Sequence, residues 1–244
     1  MNTSFCIFAH RGASHIYPEN TLSSFREAIR RGATGIELDV QLSKDGHPVV
    51  IHDESLNRTT NGSGLVKHHT LKQLKALSAG SWFHPRYERM KIPTLEEVFQ
   101  RIQRSRVLLN IEMKNLLIRS QNLEEQIIHL ITKYNLKEQV ILSSFSPQSI
   151  EVVKKLNPHI TTGLLYFGKL DEPWKLASEL NAQYLQPPIE VLTPELVQQS
   201  RLHQLQICPY GVNEPKDYVL AVRCNVDGVI TMYPEKARKF CRIK

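Results

Sequence analysis

Long apolar runs are scarce in these 244 residues. The one near the amino terminus, Phe5-Cys6-Ile7-Phe8-Ala9, is too short for a signal-peptide core and has no basic flank before it. Nothing approaches the ~20 consecutive apolar residues that a bilayer-spanning helix needs. The expectation is a soluble, cytoplasmic protein with no transmembrane segment. Cysteine is also sparse. Cys6, Cys208, Cys224 and Cys241 form no CxxC pair and no ligand spacing, which argues against a cysteine-built metal site. Three of the four sit in or beside apolar runs, so reduced, structural thiols are expected. No Gly-rich fingerprint follows the first apolar run, as a dinucleotide-binding sheet would require. Internal repeats and low-complexity tracts are missing too.

What is present is ordinary for a globular enzyme: 41% apolar and 23% charged residues. A chain of this length can bury one core without staples. The net charge of +7 comes from Lys and Arg residues scattered among acids, as in Arg26, Arg30, Arg31, Arg101, Arg104 and Arg106. That is a solvated, mildly basic surface rather than a nucleic-acid site. At most it draws in an anionic small molecule.

Short apolar runs alternate with amphipathic segments almost from end to end. Strands are predicted at 5–9, 35–40, 48–51, 107–111, 140–142, 161–166, 184–186, 206–210 and 228–230. Helices are predicted from Asn20 through Ile29, from a Thr94/Glu97 capping box, and over 71–77, 123–134, 147–156, 172–180 and 194–204. Alternation of this kind is the mark of a parallel α/β protein. Nine strands are one too many for a (β/α)8 TIM-type barrel. The surplus is explained by Lys44-Asp45-Gly46, a hairpin signal between the second and third runs. With the turn centred on Asp45-Gly46, residue 39 should pair near residue 50 and residue 37 near His52. Residues 53–92 break the pattern and are expected to form a small cap inserted after the third strand, in one domain spanning 1–244 with no second core.

In a barrel, polar residues at strand carboxyl ends are the catalytic suspects. His10-Arg11 follow the first strand, Glu37 and Asp39 lie on the second, His52 follows the third, and Glu112 and Lys114 close the fourth. Glu37 and Asp39, at i and i+2, point to one side of their strand and repel each other unless a cation lies between them. With Glu112 they make a hard-oxygen set suited to one divalent cation, Mg²⁺ or Ca²⁺. Two imidazoles can serve as general acid and general base in one cycle. Arg11 and Lys114 can clamp an anion whose charge grows during displacement. A salt bridge from Lys114 to Glu112 is compatible with that role.

These residues stand in strings that together resemble the glycerophosphodiester phosphodiesterase family. The strings are His10-Arg11-Gly12, Pro18-Glu19-Asn20-Thr21, Glu37-Leu38-Asp39-Val40, Lys44-Asp45-Gly46, Pro48-Val49-Val50-Ile51-His52-Asp53, Arg58-Thr59-Thr60, Ile92-Pro93-Thr94-Leu95-Glu96-Glu97-Val98, Glu112-Met113-Lys114 and Ser144-Phe145. The resemblance implies a distorted barrel with an inserted cap and a divalent metal held by Glu37, Asp39 and Glu112. It implies catalysis by His10 and His52, with Arg11 and Lys114 on the phosphate. The implied reaction is hydrolysis of glycerophosphodiesters to glycerol 3-phosphate and an alcohol, with water and the substrate's own hydroxyl both open as nucleophile. Two departures point to altered substrate preference. Met232 stands where the family usually has an acid, and Tyr210 where it commonly has tryptophan. Two alternatives follow: a lysophospholipase D-type enzyme with Tyr210, Met232 and Trp82 as an apolar wall, and a non-catalytic phosphate-ligand module. The oligomeric state is left open.

Overall fold

The fold, taken from a computed structural model, is described for residues 5–241. Nine strands and nine helices alternate among them. The strands are β1 (Cys6–His10), β2 (Gly35–Leu42), β3 (Pro48–Val50), β4 (Leu108–Met113), β5 (Val140–Ser144), β6 (Thr161–Leu165), β7 (Tyr184–Gln186), β8 (Gln206–Ile207) and β9 (Gly228–Thr231). All but β3 pair in parallel, in the order β8-β7-β6-β5-β4-β2-β1-β9. Asp227 N–H donates to Ile207 O and Ile230 N–H to Pro209 O, each at 2.9 Å, which brings the two ends of that row together. The result is a nearly closed eight-stranded parallel barrel. Strand β3 is the surplus one, antiparallel to β2.

Alternation along β2 shows how the sequence builds the barrel wall. Ile36, Leu38, Val40 and Leu42 join the apolar cluster outside the strands. Gly35, Glu37, Asp39 and Gln41 therefore face the interior. On β1, Ile7 and Ala9 pack outward while Phe8 joins Ile141, Cys208 and Ile230 in a separate cluster, and His10 shares the side of Phe8. The amino-terminal end of the interior is thus apolar and the carboxyl-terminal end polar. Between them Asn110 and Gln186 exchange amide hydrogen bonds at 3.3 and 3.4 Å, reaching from β4 to β7.

Seven helices fall on predicted segments: α1 (Leu22–Arg30), α2 (Leu71–Ala76), α3 (Leu95–Ile102), α4 (Leu123–Tyr134), α5 (Pro147–Leu156), α6 (Pro173–Glu179) and α7 (Pro194–Leu202). Helix α3 begins on the expected capping box, in which Thr94 accepts from Glu97 N–H and Glu97 from Thr94 N–H. Two helices were not foreseen, α8 (Pro215–Arg223) and α9 (Pro234–Phe240). Each starts on proline, and Tyr218 and Ala221 carry α8 onto the core.

The hairpin forms, but its register differs by one residue from expectation. Val40 pairs with Val50 and Leu42 with Pro48. The turn holds three residues rather than two, closed by Ser43 N–H to His47 O, with Gly46 in the left-handed region at φ 81°. Strand β3 ends at Val50, so His52 lies beyond the ladder instead of across from Glu37. Strand β8 is likewise shorter than predicted, and Tyr210 makes an isolated bridge with Pro188.

Residues 53–92 hold α2, two short 3-10 turns and an isolated bridge between Ser55 and Leu65. Leu56, Val66, Leu74, Ala79 and Ile92 form a small apolar cluster completed by Val49 and Ile51 of the hairpin strand and its extension. This segment is therefore seated on the barrel through the residues that lead to His52. No helix among the described residues is long and apolar enough to cross a membrane.

Candidate active site

Two neighbouring strands, β2 and β4, deliver three carboxylates to one place, and β1 adds a histidine. Register puts His10 beside Glu37 and Asp39 beside Glu112. Each of Glu37, Asp39 and Glu112 offers an oxygen, and these atoms lie within 4.8 Å of one another. Asp39 is fully buried and Glu37 is 3% exposed. Burial raises the pKa of Glu37 well above the ordinary carboxylate range, and the charges of Asp39 and Glu112 push it further. Burial and Asp39 raise that of Glu112. For Asp39 burial works the same way, but Arg11, His52 and Lys114, with a hydrogen bond from Asn20, outweigh it and hold the group below its usual value.

Asp39 Oδ1 is buried without a hydrogen-bond partner, and Lys114 Nζ is 4.0 Å away from it. A buried carboxylate oxygen left so is costly unless a cation completes it. Three clustered carboxylates, one of them with an orphaned oxygen, fit a hard divalent ion such as Mg²⁺ or Ca²⁺.

The cations around this cluster are tightly placed. Arg11 has a left-handed backbone (φ 56°), and its N–H donates to Glu37 O at 2.9 Å and Glu37 Oε2 at 3.0 Å. Its side chain donates from Nη1 to Glu19 Oε1 at 2.9 Å. Arg11 Nε lies 3.3 Å from Asp39 Oδ2, in ion-pair contact but out of hydrogen-bond line. The turn depends on Gly12, at φ 83°, where a Cβ would lie 2.4 Å from Ser24 Oγ. Lys114 Nζ donates to Glu112 Oε1 at 2.8 Å, the expected salt bridge.

The histidines flank the cluster. His10 Nε2 is 3.9 Å from Glu37 Oε2. Burial first, then the charge of Arg11, lowers the His10 pKa to about 4, with His52 adding to the same direction. The two rings are thus close enough for their charges to act on each other. His52 Nδ1 lies 2.6 Å from Asp53 Oδ1. All seven residues singled out in the sequence therefore meet at one end of the barrel.

Four more participants had no assigned role. Asn20, also left-handed at φ 56°, donates from Nδ2 to Asp39 Oδ2 at 2.8 Å. Glu19, Asp53 and Arg58 form ion pairs with one another and with the site. Each stands in a string of the resemblance, which was the only signal available for them. Of the suggested apolar wall, Tyr210 sits edge-on to Phe145 at 6.0 Å, and Phe145 stacks on the exposed Phe167 at 4.0 Å. Trp82 makes its ring contact with Phe83 within residues 53–92, and Met232 N–H is tied to Asn213.

The family model described as glycerophosphoryl diester phosphodiesterase matches residues 10–236. A glycerophosphodiester phosphodiesterase from Caldanaerobacter subterraneus subsp. tengcongensis is 45% identical over 94% of each chain, and one from Bacillus altitudinis is 40% identical over 96% of each. Among solved structures, an Oleispira antarctica phosphodiesterase in complex with the product sn-glycerol-3-phosphate has a TM-score of 0.87 and 30% identity, covering 98% of this chain and 97% of its own. A glycerophosphodiester phosphodiesterase from Agrobacterium tumefaciens has a TM-score of 0.85 and 27% identity, with 96% and 99% covered. Similarity of this extent to family model, relatives and structures leaves one assignment: the chain belongs to the glycerophosphoryl diester phosphodiesterase family.

Proposed function

We propose that this chain hydrolyses glycerophosphodiesters to glycerol 3-phosphate and an alcohol, in a reaction that depends on one divalent cation. The observation that carries this reading is the carboxylate cluster, in which Asp39 Oδ1 is buried and unpartnered and His10 lies 3.9 Å from Glu37. Glu37, Asp39 and Glu112 would hold the ion, Mg²⁺ or Ca²⁺. When bound, it supplies positive charge for the non-bridging phosphate oxygens. Arg11 and Lys114 supply fixed charge for the same oxygens and keep the phosphate in register. His10 and His52 trade the proton, one taking it from the attacking hydroxyl while the other returns it to the leaving alcohol. Residues 53–92 act as a cap within a single phosphodiesterase unit. A cytoplasmic setting suits the buried thiols of Cys208 and Cys224.

The test is turnover of glycerophosphocholine with and without EDTA, then with each metal restored. Activity should vanish with the chelator and return with Mg²⁺ or Ca²⁺. In His10→Ala and His52→Ala it should fall by about 10²–10⁴-fold, the usual contribution of a general acid or base. Undiminished turnover in EDTA, or tight binding without turnover, overturns the proposal.

The aromatic series Tyr210, Phe145, Phe167 favours a second reading, in which an acyl chain lies against it and lysophospholipids are cleaved. Lysophosphatidylcholine in the same assay separates the two. If Phe167→Ser lowers its turnover but not that of glycerophosphocholine, the acyl chain uses that surface.

A further inference from the structure

Two strings of the resemblance, one around Glu19 and one around Arg58, take no part in the chemistry above. Arg58 belongs to the cap, yet its guanidinium is engaged on two edges. Nε and Nη2 donate to Asp53 Oδ2 and Oδ1 at 2.7 and 2.8 Å. Nη1 and Nη2 donate to Glu19 Oε2 and Oε1 at 2.8 Å each. Asp53 Oδ1 is also the partner of His52 Nδ1 at 2.6 Å, and Glu19 Oε1 also accepts from Arg11 Nη1 at 2.9 Å. An unbroken run of contacts, His52–Asp53–Arg58–Glu19–Arg11–Asp39, therefore passes through one cap side chain. The space beside it, lined by Glu19, Asn20, His52, Thr59 and Thr60, is only about 10 Å³, so cap and barrel are in close contact there.

We propose that Arg58, Asp53 and Glu19 are positioning residues, through which docking of the cap presets the tautomer of His52 and the placement of Arg11. This rests on the reading of His52 as a proton-exchanging group and Arg11 as a phosphate ligand.

The chemistry runs in two branches. A carboxylate gripped by a two-pronged guanidinium is an acceptor only. Arg58, followed by His52, holds the Asp53 carboxyl far below the usual range, in keeping with that. His52 Nδ1 must then carry hydrogen toward Asp53, which leaves Nε2 as the nitrogen that gains and loses the proton. On the other branch, Glu19 fixes the outer edge of the Arg11 guanidinium and keeps Nε beside Asp39. Lysine cannot replace Arg58, since a point charge lacks the planar fork that meets two carboxylates at once. Arg58 is 44% exposed at its side chain, so its ion pairs contribute little to folding; its effect is one of placement.

The experiment compares full-length wild type with Asp53→Asn, Glu19→Gln, Arg58→Lys and the Asp53→Asn/Arg58→Lys pair, with glycerophosphocholine and saturating Mg²⁺. Asp53→Asn should lower kcat by about 10–100-fold, the usual loss when the group orienting a site histidine is removed, with KM nearly unchanged. Glu19→Gln should raise KM more than it lowers kcat. Arg58→Lys should do both, and the pair should have a kcat no lower than the worse single variant, because both act through one contact. ¹H–¹⁵N spectra of His52 with its ring neutral supply a readout independent of turnover: Nδ1–H in wild type, lost in Asp53→Asn and less populated in Arg58→Lys, where Asp53 stays ionised but is no longer held against the ring. An Nε2–H wild type, multiplicative kcat losses in the pair, or variants that lose only thermal stability overturn the proposal. Should wild type turn over nothing, or His52→Ala keep full kcat, the phosphodiesterase reading fails instead, and the tautomer spectra still decide this one.

Discussion

Glu37 shows how a side chain can be destabilising in isolation and useful in context. Its pKa is raised well above normal by burial and by two neighbouring carboxylates. A carboxyl whose folded pKa exceeds its unfolded value of about 4.3 contributes stability below that pH and loses it as the pH rises through the folded value. Metal-free protein should therefore weaken from about pH 4.3 upward because of Glu37. Glu37→Gln, which can still accept from Arg11 N–H, should be more stable than wild type at pH 7 in EDTA, as measured by urea unfolding. Gly12 is constrained differently. Gly12→Ala would place a methyl 2.4 Å from Ser24 Oγ at φ 83°. A left-handed non-glycine residue costs about 1–3 kcal/mol before any clash, so the variant should lose at least that in unfolding free energy. Both residues sit in legible motifs. His10, Arg11, His52, Glu112 and Lys114 were recognisable because they close or follow apolar runs, and Glu37 and Asp39 because they interrupt one at i and i+2. Asn20, Glu19, Asp53 and Arg58 lie in loops, where no periodicity reports which way a side chain turns.

At the scale of elements, local sequence governs more than might be expected. The capping box of α3 was readable because both of its partners are three residues apart, and Thr94→Ala should cost about 1 kcal/mol in urea unfolding with kcat unchanged. The formation of helices α8 and α9 depends on what they pack against: Tyr218 is fully buried and stacks on Phe240 at 5.4 Å. The hairpin lies between these cases. Its existence follows from Asp45-Gly46, but its register turns on one extra loop residue. A slip of one residue moves every side chain to the opposite face, so turn geometry decides where His52 goes.

For the molecule as a whole, the barrel interior divides into an apolar end and a charged one, with the Asn110–Gln186 pair between them. Gln186→Met would strand the Asn110 amide inside the barrel and should cost about 1–3 kcal/mol, seen in urea unfolding. The charged end should couple ion binding to folding. Any ligand of the native state stabilises by mass action, about 2.7 kcal/mol at a hundred times its dissociation constant. The Tm of wild type should thus climb with Mg²⁺ or Ca²⁺ and fall back in EDTA, whereas Glu37→Gln should lose most of that climb and so fall below wild type once metal is saturating. A Tm indifferent to both ions would count against the carboxylate cluster as their site.

Hydrophobic spacing and turn residues alone determined the order of strands, most helices, the antiparallel excursion of β3 and the seven polar residues on or just after strands, because period and punctuation are local properties of a chain. Only the tertiary structure decided that the ends of the strand row meet, that His52 lies beyond its ladder, and that an arginine from the cap ties Asp53 to Glu19. Those outcomes depend on how distant segments share space and charge, and nothing in the spacing of residues along the chain records it.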